Sequence, residues 1–415
     1  MKIRFLIANA YGVGGTIKAT YNLAGELAKR HDVEIVSVQT RRDVPAFAVP
    51  PGVRLRALVD GSPQAQRAKE ESSGLVARGK LKLGTWAMTQ PSRVIHRRDF
   101  RYKNFNLLTD LLLLRFLREV DDGVLIGTRA GLNLAIARFG RRSAIRVGQE
   151  HLNATKYGKG IRGAFRRFYP RLDAYSALTE RDAAAFSHML GPGVRVTCIP
   201  NGVSDGGDVR SANHNKVVIA AGRLAPQKGF DRLVPAWAQV ARRHVDWELK
   251  IFGGGKLQGE LEQQIDELGL RGSARLMGYT DQLPQAMAEA SFYVMSSRFE
   301  GFPMVLLEAM RCGLPIVSYD CPNGPRDLIT HGRDGFLVPN GDVDGLAAAM
   351  IEMIELGDAR RSFGEAALQK SKQYEMPAIA RRWEELLEEL VAERRQQGLP
   401  GWSIRGRQVR PEHRP

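Results

Sequence analysis

The sequence predicts an α/β protein of two units, each a parallel sheet wrapped by helices, with the carboxyl ends of both sheets facing a common cleft. Three observations predict it. The chain opens as strand, glycine-rich turn, amphipathic helix and strand, at Ile3 to Ala8, Asn9 to Thr16, Ile17 to Arg30 and Val33 to Val38. A second series of the same kind begins at Val217. Between them Ser204 to Asn215 is polar, reads as a linker, and divides residues 1–203 from residues 204–375. A chain of 415 residues is also too long for one ordinary core.

In the first unit the turn Asn9 to Thr16 excludes two cofactor classes. It carries Gly12-x-Gly14, but Ile17 stands where a dinucleotide fingerprint needs its third glycine, and no acidic residue closes the strand at Val38. No P-loop pattern occurs in the chain. What remains is the pair Gly14-Gly15, which lets a ligand approach backbone N–H groups at a helix start. Residues 60–100 are polar, basic and irregular, and read as an insertion. Phe105 to Val120 and Gly131 to Phe139 follow as helices, with strands at Gly123 to Gly127 and Ala144 to Gly148. His151 lies just past that last strand, at the sheet end where ligands bind. Tyr157 to Arg171 interleaves basic and aromatic residues, which suits a membrane interface or an ordinary solvated helix. Asp173 to Leu178 and Val194 to Ile199 complete the strands, with a helix cap at Thr179 to Asp182.

The second unit has predicted strands at Val217 to Gly222, Trp247 to Phe252, Ala274 to Gly278, Phe292 to Met295 and Pro315 to Ser318, with helices between. Met376 to Arg395 is a long charged helix containing Trp383, expected to complete the first unit, and residues 396–415 read as a disordered basic tail.

Charge is distributed unevenly. Of a net +16, Met1 to Val203 holds 34 Lys/Arg against 16 Asp/Glu, whereas Lys216 to Gly345 holds 14 against 16. Arg78 to Lys103 and Arg138 to Arg171 concentrate the excess. Anionic lipid, a polyanionic acceptor or nucleic acid would each complement such a surface. The opening residues read as a charged strand rather than a secretory leader, and no apolar run reaches the length of a membrane span. Three cysteines without metal spacing suit a reduced compartment. A cytoplasmic protein, peripheral on the inner face of a membrane, is the expectation.

Four loops of the second unit carry the chemistry. Gly222 to Gly229 follows a strand and holds two cations, Arg223 and Lys228, five residues apart, which suits a diphosphate. Gly253-Gly254-Gly255 and Gly278-Tyr279-Thr280 follow the next two strands. The fourth stretch is Glu300-Gly301-Phe302-Pro303-Met304-Val305 leading to Glu308: strand, tight loop, helix N-terminus. Proline suits the first turn of a helix, and the N–H groups and dipole there form an anion site framed by two carboxylates.

With Gly14-Gly15, Glu150-His151, Pro200-Asn201-Gly202-Val203, Gly222-Arg223, Lys228-Gly229 and the Glu300 to Glu308 pattern in this order, the chain resembles the family 4 retaining glycosyltransferases of GT-B architecture. Asp320 to Asp327 resembles members that build bacterial cell-surface glycans, although they often carry glutamate where Asp327 stands. The resemblance implies roles. Arg223 and Lys228 hold the diphosphate of a nucleotide sugar, and Glu308 accepts from the ribose hydroxyls. N–H groups near Phe302 to Val305 contact phosphate and sugar. Gly222, Gly254 and Tyr279 line the donor, with Tyr279 along the base. Glu300 and His151 touch the sugar, and Gly14-Gly15 approaches the diphosphate or acceptor. Transfer retains the anomer, with the leaving diphosphate taking the acceptor's proton.

No strand-end D-x-D motif is present, since Asp342-Val343-Asp344 reads as a helix start, so metal-independent transfer without a cofactor is expected. The function expected is transfer of a hexose from a UDP-sugar to a membrane-associated or polyanionic glycan. A soluble glucan or disaccharide-phosphate synthase is the alternative on the same fold. A non-catalytic membrane or nucleic-acid binder is a remote one, and no nucleic-acid partner is expected.

Overall fold

A computed structural model describes residues 1–65, 67, 84, 86–204 and 209–397. The first sheet has seven strands: β1 Lys2–Ile7, β2 Asp32–Thr40, β3 Val53–Asp60, β4 Val124–Gly127, β5 Ile145–Gln149, β6 Ala174–Ala177 and β7 Val196–Cys198. Their order is β3-β2-β1-β4-β5-β6-β7, and every pairing is parallel. The second sheet has six: β8 Val217–Ala221, β9 Glu248–Phe252, β10 Ala274–Gly278, β11 Phe292–Met295, β12 Ile316–Asp320 and β13 Gly335–Pro339. Their order is β10-β9-β8-β11-β12-β13, again all parallel.

Both sheets are doubly wound. Strand order reverses between β1 and β4 in the first and between β8 and β11 in the second. At such a reversal the helices leave to opposite faces, and a crevice opens at the carboxyl ends of the central strands. The apolar residues of the central strands are buried: Ile3, Phe5 and Leu6 in β1, which Lys2 and Arg4 interrupt, and Val218, Ile219 and Ala220 in the unbroken apolar run of β8 are fully covered.

The helix Met376–Gln396 packs into the first unit's core. Met376, Ile379, Trp383, Leu387 and Leu390 join Ile3, Phe5, Val33 and Ile126 in one apolar cluster. Its polar edge is tied down by bidentate Arg30–Glu384 bonds of 2.8 Å and by Arg394 on Asp173 at 2.7 Å. The two chain crossings between the units lie side by side, where Val203 N donates to Tyr374 O at 2.9 Å and Met376 N to Val203 O at 3.0 Å.

The structure departs from the expectations in four places. Strands β3 and β13 were not anticipated. β3 is an edge strand carrying Arg54, Arg56 and Asp60, charges tolerated because that edge faces solvent. β13 is five residues hemmed by turns. Pro303 is the N-cap of its helix (φ −77°, ψ 89°) rather than its first turn, so the helix begins at Met304. The linker is not loose throughout. Asn213 is buried, donates to the carbonyls of Ser291 and Gly313 at 3.2 and 2.9 Å, and accepts from Arg360 at 2.8 Å. Residues 205–208, a part of the expected insertion (66, 68–83 and 85) and nearly all of the expected tail lie outside the described residues. Asp342 does cap a helix, accepting from Gly345 N at 2.9 Å.

Candidate active site

The four loops converge. They leave β8, β9, β10 and β11, and backbone bonds stitch them together: Gly222 N to Phe252 O at 2.9 Å, Leu224 N to Gly254 O at 3.0 Å, Gly253 N to Gly278 O at 2.7 Å and Arg298 N to Gln227 O at 2.8 Å. Two glycines are required by this closeness. A Cβ on Gly253 (φ +133°) would lie 1.9 Å from Gly222 O, and one on Gly229 (φ +65°) 2.1 Å from Ser296 O.

Glu300 is buried beneath this assembly. Its Oε1 accepts from Lys228 Nζ at 2.7 Å and from Ser297 Oγ at 2.6 Å. Glu308, one turn into the helix Met304–Arg311, accepts from Lys18 Nζ at 2.5 Å. Lys18 belongs to the first unit, in the helix Gly15–Ala28, so this pair crosses between the units. Arg223 is exposed, and among the described residues its guanidinium has no hydrogen bond or ion pair. Phe302 and Met304 are buried, fixing the start of the helix, whose first N–H groups have no intrahelical acceptor. Gly254 is open, with nothing within 4 Å of a Cβ placed there, and Tyr279 is 78% exposed at the loop's rim.

The first unit supplies the facing wall. Gly14 is the N-cap of its first helix, and a Cβ on Gly14 or Gly15 would meet nothing within 4 Å, so this backbone is open to a ligand. His151 follows β5, and its carbonyl lies 2.3 Å from where a Cβ on Gly301 would stand. Asn153 Nδ2 donates to Glu300 O at 3.3 Å, and Asn323 Nδ2 to both oxygens of Asp182 at 2.8 and 2.7 Å. The His151 loop and the Glu300 loop therefore touch.

Electrostatics set the protonation of this wall. Burial, with the charge of Arg129, pulls the His151 imidazole down to about 4, so it is neutral at neutral pH. Its Nε2 is buried with no partner, one ring nitrogen left for a ligand hydroxyl. Burial pushes the neighbouring Glu150 up to about 7, against the N–H groups of His151 and Leu152, which donate to its Oε1 at 3.0 and 3.1 Å.

Sequence reasoning passed over Lys18, Asn153 and Arg129. Arg129 stands at the end of β4, a position the strand assignment already marked, but lysine 290 residues from its glutamate partner left no local signal. Asp327 acts as a cap for the Gly324 backbone at 3.2 Å. Among the described residues no cluster of three His, Cys, Asp or Glu could hold a metal, and no helix is long and apolar enough to cross a membrane.

Residues 207–370 match the family model described as glycosyl transferases group 1. An exopolysaccharide phosphotransferase of Streptomyces coelicolor is 36% identical over 95% of this chain, which spans 41% of that protein. A poly(glycerol-phosphate) α-glucosyltransferase of Bacillus subtilis is 26% identical over 59% of this chain and 37% of its own length. The chain thus spans well under half of either relative. The S. aureus TarM mutant crystallised with fondaparinux, α-GlcNAc-glycerol and UDP superposes with a TM-score of 0.72 at 15% identity, over 93% of this chain and 100% of that one. The chain therefore has the GT-B fold, and its second unit is the part that matches the glycosyl transferases group 1 model.

Proposed function

We propose that this chain is a retaining, metal-independent glycosyltransferase of the family 4 type. It moves a hexose from a UDP-sugar, without a cofactor, to a polyanionic or membrane-associated cell-surface glycan, from the cytoplasmic side. The observation that carries the reading is the convergence of Arg223, Lys228, Glu300, Glu308 and the N-terminus of the helix Met304–Arg311 on one crevice, with neutral His151 opposite. Arg223, Lys228 and the helix N-terminus offer positive charge where a diphosphate leaves, and stabilising that leaving group is the main catalytic demand of such transfer. Glu308 offers acceptor oxygens for ribose once Lys18 yields, and His151 Nε2 faces the sugar. The α-anomer in the Bacillus relative's name is what retention from an α-linked donor gives, and UDP in the TarM crystal supports the base. The basic surface of the first unit, including Arg138, Arg167 and Arg171 around the Phe168 ring, supports an anionic partner.

A second reading comes from the Streptomyces relative's name, since a phosphotransferase cleaves P–O rather than sugar C–O. The nucleotide product separates them. With UDP-sugars the chain is expected to release UDP, and Arg223→Ala and Glu308→Ala to cut that release roughly a hundredfold. Release of UMP would establish the phosphotransferase reading, and full activity in both variants would remove the donor-site assignment.

A further inference from the structure

Arg101 and Arg129 flank one buried carboxylate beside the strand reversal of the first sheet. That carboxylate is Asp99, whose side chain is 2% exposed; it holds the Arg129 guanidinium and the backbone of Arg101. Its Oδ1 accepts from the backbone N of Arg101 at 2.8 Å and lies 3.4 Å from Arg129 Nη2, while Oδ2 accepts from Gly131 N at 2.8 Å. Arg129 follows β4, beside the strand reversal of the first sheet, next to His151 at the end of β5 and across from the open Gly14-Gly15 turn at the end of β1. Its Nε is buried and has no hydrogen-bond partner. The Arg101 side chain is exposed and, among the described residues, its guanidinium has no hydrogen bond or ion pair. Desolvation, then the charges of Arg129 and of Arg223 from the opposite unit, push Arg101 below its ordinary value, so these like charges are held near one another.

We propose that Arg101 and Arg129, gathered by Asp99 at the first unit's strand reversal and lying towards Arg223, form a subsite for a singly charged oxyanion of the acceptor, a phosphodiester or a carboxylate. Charge fits. Two guanidinium groups and one carboxylate leave one positive charge, which one such anion cancels. Geometry fits as well. Guanidinium forks match oxyanions bidentately, and Arg129 Nε is a donor awaiting an acceptor. Position fits, because the subsite adjoins His151, where the reacting hydroxyl of the acceptor has to come. An acceptor anchored there by one charge presents its hydroxyl to the donor sugar in a fixed register. The inference rests on the glycosyltransferase reading for the word acceptor, but not for the binding itself.

Binding is measured by calorimetry with the full chain, using oligo(glycerol phosphate), oligogalacturonate and a neutral maltooligosaccharide, alongside UDP. Arg101→Gln is the first variant, because that exposed side chain leaves folding undisturbed, and Arg129→Lys the second. The expected result is about tenfold weaker binding of an anionic oligomer in each variant, with UDP affinity unchanged. Whichever anionic oligomer binds the parent more tightly identifies the anion. Unchanged affinity for both anionic oligomers in Arg101→Gln would overturn the proposal, as would equal weakening of the neutral oligomer. Loss of UDP affinity would overturn it too, by assigning the arginines to the donor diphosphate. If the parent binds the anionic oligomer in an Arg101-dependent way but releases no UDP from any UDP-sugar, the subsite stands and the glycosyltransferase reading falls.

Discussion

Glu150 and His151 are neighbours with opposite responses to burial. The carboxyl is driven towards its protonated form, to about 7, and the imidazole towards its deprotonated form, to about 4. At neutral pH His151 is neutral, and Glu150 sits near its midpoint, divided between its protonated and ionised forms. The linkage follows from the directions. A carboxyl raised in the folded state binds more protons folded than unfolded, so its stabilising effect is full at low pH. That effect falls as pH rises from the ordinary carboxylate value through 7. The lowered imidazole acts oppositely, losing stability as pH falls from 6.5 towards 4. Glu150→Gln removes the first effect and keeps the acceptor for the two backbone N–H groups. Its melting temperature, compared with the parent's, is expected to be level near about pH 4 and to gain steadily up to about pH 8. Differential scanning calorimetry checks this, and a pH-independent difference would place the Glu150 titration elsewhere. At the same scale, Lys228 and Lys18 are already paired with Glu300 and Glu308, whereas the Arg223 guanidinium, on the loop after β8, has no hydrogen bond or ion pair among the described residues.

At the scale of elements, the site is a meeting of loops whose glycines are set by distance. Gly301 shows it best, since its missing Cβ admits the His151 carbonyl from the other unit. Gly301→Ala is expected to cost about 1–3 kcal/mol by pushing two backbones apart. It should lower UDP release more than a distant surface change of equal size, as comparison of melting temperature with turnover would show. Much of this scale was legible in the sequence. Unbroken apolar runs such as Phe292 to Met295 announce buried parallel strands, and glycines after β8 and β9 announce the close approach that Gly253 makes to Gly222. β3 was not legible because Arg54, Arg56 and Asp60 break its apolar pattern. The pairs Lys18–Glu308, Asn153–Glu300 and Asn323–Asp182 were not legible either. Each joins residues over 140 apart, brought together only by how the two units meet.

For the whole molecule, the decisive feature is that the chain visits the first unit twice. The helix Met376–Gln396 covers the same sheet that residues 2–198 build, with Trp383 fully buried. Its seven large buried apolar side chains, Met376, Ile379, Trp383, Leu386, Leu387, Leu390 and Val391, at roughly 1.5–3 kcal/mol each, amount to upwards of about 10 kcal/mol, comparable to the net stability of a domain. A chain ending at residue 375 is therefore expected to keep a folded second unit and lose the first. Limited proteolysis would show this as rapid digestion of residues 1–203 beside a protected C-terminal fragment, and a protected N-terminal fragment would refute it. The same helix also sets an order in time. During synthesis the strands of the first unit emerge before the second unit, but its core lacks one wall until the helix Met376–Gln396 leaves the ribosome. The second unit has all its strands by residue 339. Of these two units, the one whose strands are made first is thus the one completed later, and while the second unit is being made the basic surface of the first stands on an incomplete scaffold.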